Sequence, residues 1–306
     1  MTIRRWSKIF ALGGQNTEGI FDDRIQVTEK VDGSQINFGA HPENGLTILS
    51  KGSVVHLGDN NKLFAAAAQH IEELFQTGLL EEGWTYHGET LFQPRHNTLA
   101  YERTPKNHIA LYGVSKPDGS QISEHVDLTD IAKKLHVDVV PLIFSGRLAP
   151  ENASERLKEW LELDSYLGGQ KIEGVVIKNY YKQQWLGGQL LPLQQAKYVS
   201  EAFKEKHKVA WPQNNKSPIF VIGETVRTEA RWHKAIQRKR EEGSLEGTPR
   251  DIGDLLKKLH EDLEGEDKEW IKEKLWKEFS KEIKRAATRN FPEWYKEWLV
   301  KERFDG

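Results

Sequence analysis

Cysteine is absent from all 306 residues. That excludes a disulfide framework, zinc sites built on thiolates and a cysteine nucleophile, and it suits a reducing compartment. Long hydrophobic runs are missing too. Leu63-Phe-Ala-Ala-Ala-Ala68 is among the longest, far short of the roughly 20 residues that span a bilayer. The opening Met1–Leu12 has a basic flank but too few apolar residues after Lys8 to act as a secretory signal. A soluble, cytoplasmic protein is expected. The chain also lacks an excess of positive charge: 44 Lys+Arg face 46 Asp+Glu, for a net charge of −2. Bulk charge therefore gives none of the basic signature that nucleic-acid binders often carry.

What is present is unevenly distributed. Residues 207–306 hold 22 Lys+Arg and 20 Asp+Glu, and six of the ten tryptophans (Trp211, Trp232, Trp270, Trp276, Trp294, Trp298). The change falls at His207–Pro218, a polar stretch with two prolines that reads as a linker. Two domains are expected, 1–206 and 219–306, joined by 207–218.

The first part carries short β-type runs with turn residues close by: Arg24–Thr28, Gln35–Gly39, Leu46–Ser50, Thr85–His87, Ile109–Val114 and Val175–Asn179. Helices are expected at Lys62–Gln76, Leu128–Leu135 and Ser154–Leu163. Strands and helices do not alternate regularly, so an α+β fold with antiparallel sheets and flanking helices is predicted. The tail reads as a small all-α domain. Thr248-Pro-Arg-Asp251 has the signature of a capped helix start. Three apolar stripes follow: Ile252, Leu255, Leu256, Leu259 and Leu263; then Trp270, Ile271, Leu275, Phe279 and Ile283; then Trp294, Tyr295, Trp298 and Leu299. These aromatics are expected in the core.

Chemistry concentrates in five segments. In Thr28-Glu-Lys-Val-Asp-Gly-Ser-Gln-Ile-Asn-Phe38 a lysine, Lys30, lies between two β-type runs and just before Asp-Gly. A lysine amine attacks only once deprotonated, which burial or a neighbouring cation favours. Asp-Gly alone commonly marks a hairpin. Lys171-Ile-Glu-Gly-Val-Val-Ile-Lys178 offers a carboxylate at a turn and a lysine at the far end of a strand. Glu173 and Lys178 have opposite parity, so a regular strand would send them to opposite faces, and a bend or bulge is needed to unite them. Trp84-Thr-Tyr-His-Gly-Glu89 ends another strand in Gly-Glu, Ile109-Ala-Leu-Tyr112 places one aromatic in an aliphatic run, and Gln194-Gln-Ala-Lys197 closes the series.

Taken in sequence order, the five segments resemble the covalent nucleotidyltransferase superfamily of RNA ligases, DNA ligases and mRNA capping enzymes. They are most similar to nick-sealing RNA ligases of the phage RNA ligase 2 type, over about residues 25–206. The resemblance implies that Lys30 takes AMP from ATP as a lysyl phosphoramidate. It implies that Glu29 helps bind adenine through its backbone, that Glu89 contacts the ribose or organises the site, and that Tyr112 stacks on the base. Glu173 would bind Mg²⁺ or Mn²⁺, Lys178 and Lys197 would hold phosphate, and Lys51 would serve the sugar or RNA end. The implied activity is ATP-dependent joining of 3′-OH and 5′-phosphate RNA ends, duplex or template-bridged, by a monomer with no membrane partner. The alternatives are a DNA ligase, a capping-type nucleotidyltransferase, or a decayed homologue that only binds RNA or nucleotide. DNA ligases and capping enzymes usually carry a β-barrel after the last motif, which the Trp-rich helical tail argues against.

Three positions depart from the pattern: Gln35 stands where the family usually has Asn, Gly113 where an acidic residue often follows the aromatic, and Val199 where a second lysine is common. Either Lys197 acts alone or a nearby residue such as Lys204 compensates. In the tail, Arg227, Arg231, Lys234 and Arg238 fall at spacings of four, three and four, a basic helical stripe that suits phosphates or, equally, a solvated face salted by Glu224 and Glu229. Arg103, Lys106, Lys204, Lys206 and Lys208 are further candidates. The histidines, His56, His87, His96 and His108 among them, show no metal-ligand spacing and read as surface or polar-core residues.

Overall fold

The computed structural model describes residues 3–58, 62–186, 189–200 and 218–304. They form two compact units, one of residues 1–204 with 236–247, the other of 205–235 with 248–306. The expected linker, Pro218 apart, lies outside the described residues, as do Trp211, Lys204, Lys206 and Lys208. The segment Ile236–Gly247, within the expected tail domain, groups with the first unit.

The first unit is built on two sheets. One has strand order β1-β13-β10-β2-β9, from Phe10–Ala11, Gln194–Val199, Gly174–Asn179, Arg24–Lys30 and Leu142–Arg147. The other runs β4-β3-β5-β6-β7, from Gly45–Ser50, Ser34–His41, Thr85–Thr90, Ile109–Ser115 and Gln121–Ile122, with β8 (Asp138–Val139) beside β6. Pairing is antiparallel except at β1–β13 and β6–β8. The short strands β11 (Gln184–Leu186) and β12 (Gln189–Leu191) make a separate ribbon. The predicted α+β architecture with antiparallel sheets is observed.

Each sheet has one apolar face covered by helix. Helix α1 spans Lys62–Gln76, as its pattern predicts, and buries Phe64, Ala67, Ala68, Ile71 and Leu74. Their spacing of three and four sets them on one side of a helix. They meet Ile36, Phe38 and Ile48 of the second sheet, with Leu128 and Ala132 of α2 (His125–Lys134). At about 1.5–3 kcal/mol for each large side chain, such burial is the main force holding the layer. On the first sheet, Ile25, Val27, Val175, Ile177 and Ala196 pack against Ala153, Leu157 and Trp160 of α3 (Pro150–Leu161). That helix starts four residues before the expected Ser154, because Pro150 sits in the first turn, where no intrahelical N–H bond is needed.

The second unit is helical: α4 (Pro218–Val226), the first half of α5 (Glu229–Glu241), α6 (Ile252–Ala287) and α7 (Phe291–Phe304). The predicted cap is present. The Thr248 side chain accepts from Arg250 N–H, and Asp251 accepts from the Thr248 amide. The first two apolar stripes lie on the single 36-residue α6.

The expectation that the tail aromatics are core is corrected. Trp276 is 57% exposed and Trp294 56%, and Trp232, Tyr295, Trp298, Ile252, Leu256 and Ile283 are also exposed. Among the described residues, every position from 281 to 300 is exposed. The rings instead pack along their own helix: Tyr295 stacks on Phe291 at 5.8 Å and on Trp298 at 5.7 Å. Spacings of three and four place neighbours on the same stripe, so the pattern defined a face without requiring that another element cover it. Among the described residues, no helix is long and apolar enough to cross a membrane.

Candidate active site

Strand β2 ends at Lys30 and β3 begins at Ser34, but the two strands belong to different sheets. Val31-Asp-Gly33 is therefore the crossover between sheets rather than a hairpin turn. Gly33 is required there by close approach: a Cβ would lie 2.7 Å from Glu89 Cγ, Leu91 Cδ1 and the Thr90 carbonyl. Asp32 holds the crossover in place. One carboxylate oxygen accepts the amides of Thr98 (2.9 Å) and Leu99 (2.8 Å), and its own N–H donates to the Tyr101 hydroxyl.

Register explains how the lysines come together. Lys30 pairs with Gly174, Thr28 with Val176, and Val176 in turn with Lys197; Gln26 pairs with Lys178. Directly paired residues point the same way, and the pleat repeats every two residues. Lys30, Lys178 and Lys197 thus project from one face of the first sheet, opposite the face packed on α3. The polar face of the second sheet supplies the complement: Gln35, Glu89 and Tyr112. Cations come from one sheet, and carboxylate and aromatic from the other.

Glu173 escapes the expected parity conflict because it precedes β10 and is not held by its pleat. Its two oxygens accept from the Lys30 amine at 2.6 and 2.5 Å. Burial opposes a charged Lys30, but Glu173, Glu89 and Asp32 outweigh it and hold the amine above the ordinary lysine range. Burial likewise favours a neutral Glu173, while Lys30 and Lys197 oppose that. The close two-oxygen contact marks an ion pair. Burial raises Glu89 to about 8; Lys30 acts against the shift, and Glu241, Glu173 and Asp32 add to it.

Lys178 is 2% exposed, and its amine donates to the carbonyls of Tyr112 (2.9 Å) and Ser123 (3.4 Å). Burial lowers it to about 7. Tyr112 accepts a hydrogen bond from Gln35 Nε2 at 2.9 Å and meets Trp6 edge-on at 5.7 Å. Glu89 acts electrostatically on both Lys30 and the Tyr112 hydroxyl, so it lies within electrostatic reach of both.

The remaining expected residues are less central. The Glu29 carboxylate points to the other side of the sheet, accepting from Ser165 Oγ (2.5 Å) and Tyr166 N (3.2 Å), and its amide donates to the Pro141 carbonyl. That amide is therefore already engaged. Lys51, exposed just past β4, acts electrostatically on Glu241. Of the expected nucleic-acid stripe, Arg231 and Lys234 are corrected. Arg231 is buried and its guanidinium is taken up by Asp262 and Asp267, while Lys234 pairs with Asp262 at 2.8 Å. Arg227 is exposed and pairs with Glu224, and Arg238 is half-buried and acts on Glu241. Arg231 and Lys234 share the side of α5 that meets carboxylates of α6, whereas Arg227 lies in the break between α4 and α5. Arg103 pairs with Asp138, and Lys106 is exposed.

The departures acquire local reasons. Gln35 reaches the Tyr112 hydroxyl. At Gly113 a Cβ would fall 2.6 Å from the Trp6 indole, so Trp6 fills the space a larger residue would need. Val199 pairs with Gly174, which places it on the Lys30 face, and a lysine there would have added a cation. Trp6, which the motifs did not mark, also donates from Nε1 to Gln195 Oε1 (3.0 Å) and lies 6.0 Å from the Lys178 amine. His87 and His96 are buried polar-core residues as expected, whereas His56 is exposed and His108 half-buried.

A family model described as RNA ligase matches residues 23–199. The chain belongs to the RNA ligase family. Its fold is similar to that of Naegleria gruberi RNA ligase with pyrophosphate, at 18% identity and TM-score 0.50, covering 68% of this chain and 59% of that one. A mutant of the same enzyme with AMP and Mn gives 19% identity and TM-score 0.50 over the same shares. The chain thus spans about 59% of the length of these solved ligase chains. No curated protein sequence matches it.

Proposed function

We propose that this member of the RNA ligase family is an ATP-dependent RNA ligase that seals 3′-OH and 5′-phosphate ends, duplex or template-bridged. The observation that carries this reading is the shared face of Lys30, Lys178 and Lys197, with Glu173 on the Lys30 amine and Glu89 and Tyr112 facing them from the second sheet. The likeness to Naegleria gruberi RNA ligase structures with pyrophosphate, and with AMP and Mn, supports it.

In the first step the Lys30 amine loses a proton and attacks the α-phosphorus of ATP. The N–P bond forms as the bond to the β-phosphate oxygen breaks, and pyrophosphate leaves. In the second, an oxygen of the RNA 5′-phosphate attacks the same phosphorus and the lysine departs. In the third, the 3′-hydroxyl attacks the capped 5′-phosphate and AMP leaves. Tyr112 would stack on the base, and Glu89 would contact the ribose. Lys178 and Lys197 would hold the α-phosphate, where cations stabilise charge that develops in transfer.

The acidic groups fit a divalent metal. Burial raises both Glu89 and Glu173, and Lys30 is the main group acting against that shift, an action that a bound cation would reinforce. Among the described residues, no three His, Asp or Glu side chains form a cage. Mg²⁺ or Mn²⁺ can keep several waters and needs only one or two carboxylates, so Glu173, with Glu89 beside it, would hold the ion. When bound, the metal supplies charge neutralisation on the phosphates. Glu173 would then be drawn from the Lys30 amine, which the ion pair otherwise keeps protonated.

The test is incubation with α-labelled ATP or GTP and Mg²⁺, followed by denaturation. Label from ATP retained on the wild type and lost in Lys30→Ala is expected. Absence of label, or label undiminished in Lys30→Ala, would sink the reading. Label from GTP alone would favour capping, and sealing of nicked DNA in preference to nicked RNA would make it a DNA ligase.

A further inference from the structure

The hydrogen-bond chain that reaches the crossover from outside the family-matched segment ends on the last turn of α5. Phe92 N–H donates to His96 Nδ1 at 3.1 Å, so Nδ1 is the acceptor and a neutral ring carries its proton on Nε2. Burial keeps this ring neutral, lowering it to about 4. His96 Nε2 therefore donates to Ser34 Oγ (2.8 Å), and the Ser34 hydroxyl donates onward to Glu241 Oε1 (2.6 Å). Gln237, one turn before, donates to the same Glu241 oxygen and to the Gly33 carbonyl, each at 2.9 Å. Glu241 is 6% exposed. Every member belongs to the first unit, and Gln237 and Glu241 lie beyond residue 199, where the family match ends.

Gly33 and Ser34 follow Lys30 within four residues and form the end of the crossover. Asp32 fixes the crossover on one side through the Thr98 and Leu99 amides; Gln237 and Glu241 grip the other. Gly33 has the freest backbone of any residue type, and a buried carboxylate that accepts two hydrogen bonds is a strong anchor. We propose that Glu241, assisted by Gln237, is a positioning residue for adenylyl transfer, acting through Ser34 and Gly33 to hold Lys30 in line with its target. This rests on the adenylyl-transfer reading above. A misplacement of about 1 Å at a reacting atom can cost roughly 10²-fold in rate, so the clamp governs the chemical step more than nucleotide affinity.

The test is single-turnover formation of lysine-bound AMP by the full chain, across ATP concentrations, in Glu241→Ala, Glu241→Gln, Ser34→Ala and Gln237→Ala. Glu241→Ala should slow the saturated rate by about 10–100-fold, with the ATP concentration for half-maximal rate within about threefold of wild type. Glu241→Gln keeps an acceptor for the Ser34 hydroxyl and should recover most of the rate. Glu241→Ala combined with Ser34→Ala should be no slower than the worse single variant. Wild-type rates in Glu241→Ala, an effect on half-saturation alone, or no recovery in Glu241→Gln would overturn the clamp. If Glu241→Ala loses its helical circular dichroism, Gln237→Ala decides: a several-fold slower saturated rate supports the clamp and a wild-type rate overturns it. Absence of label in the wild type would overturn the adenylyl-transfer reading as well, whereas a labelled wild type matched by Glu241→Ala removes the clamp alone.

Discussion

The Lys30 amine lies 2.6 and 2.5 Å from the two carboxylate oxygens of Glu173, joining the end of β2 to the residue that precedes β10. The proposed nucleophile is thus stored as an ammonium, paired with the carboxylate proposed to hold the metal. At pH 8 an amine held above the ordinary lysine range stays almost wholly protonated.

That storage can be read with an amine-selective reagent and peptide mass spectrometry. In wild type without nucleotide at pH 8, Lys30 should react far more slowly than the exposed Lys133. In Glu173→Gln the largest counter-charge is gone while the opposing effect of burial remains, so Lys30 should react faster. Equal Lys30 rates in the two proteins would show that the ion pair does not govern the amine.

Glu89 and Lys178 should leave opposite marks on stability against pH. Glu89 is raised to about 8 from 4.5, so the folded chain binds more protons than the unfolded one between those values, and stability falls as pH rises through that window. Lys178 is lowered to about 7 from 10.5, so the folded chain binds fewer protons there and stability rises with pH. In urea titrations, wild type minus Glu89→Gln should decline from pH 5 to pH 8, and wild type minus Lys178→Met should climb from pH 7 to pH 10. Parallel curves for either pair would refute the corresponding shift.

Trp6 and Gly113 should be coupled. Gly113→Ala forces a methyl into the indole and should cost about 1–3 kcal/mol, read from urea midpoints. Adding Trp6→Ala leaves room for the methyl, so the double variant should be more stable than the sum of the singles allows. Strict additivity would mean the indole does not occupy that space.

Arg231 should be structural in the helical unit. Replacing it with Met leaves Asp262 and Asp267 without their shared partner, which should cost about 3–5 kcal/mol, monitored by the thermal loss of helical signal. Arg227→Ala, which removes an exposed pair, should stay within about 0.5 kcal/mol. A neutral Arg231→Met would restore Arg231 as a surface cation.

Much of the fold was legible because it rests on local pattern. The apolar spacing of Phe64, Ala67, Ile71 and Leu74 sets α1 and its buried side, and Thr248 and Asp251 write the cap into four residues. Lys30, Glu89, Tyr112, Lys178 and Lys197 lie on strands and Glu173 just before one, and it was the order of their motifs, through its resemblance to a family, that marked them as candidates. The stripe through Arg231 and Lys234 was misleading for the same local reason. Periodicity fixes which residues share a side of a helix and is silent on whether solvent or Asp262 faces that side. The aromatics around Trp294 failed in the converse way, since an apolar face does not by itself guarantee a covering partner.

The sequence by itself determined the ordered motif series, the two-part composition and the near-neutral charge, because these are properties of the chain. Only the tertiary structure decided that Asp32-Gly33 joins two sheets, that β-register brings three lysines to one face, and that Glu241, more than 200 residues from Ser34, completes the hydrogen-bond chain. Strand register and long-range hydrogen bonds depend on which segments meet. That meeting is set by burial of the apolar faces collectively and not by any local run of residues.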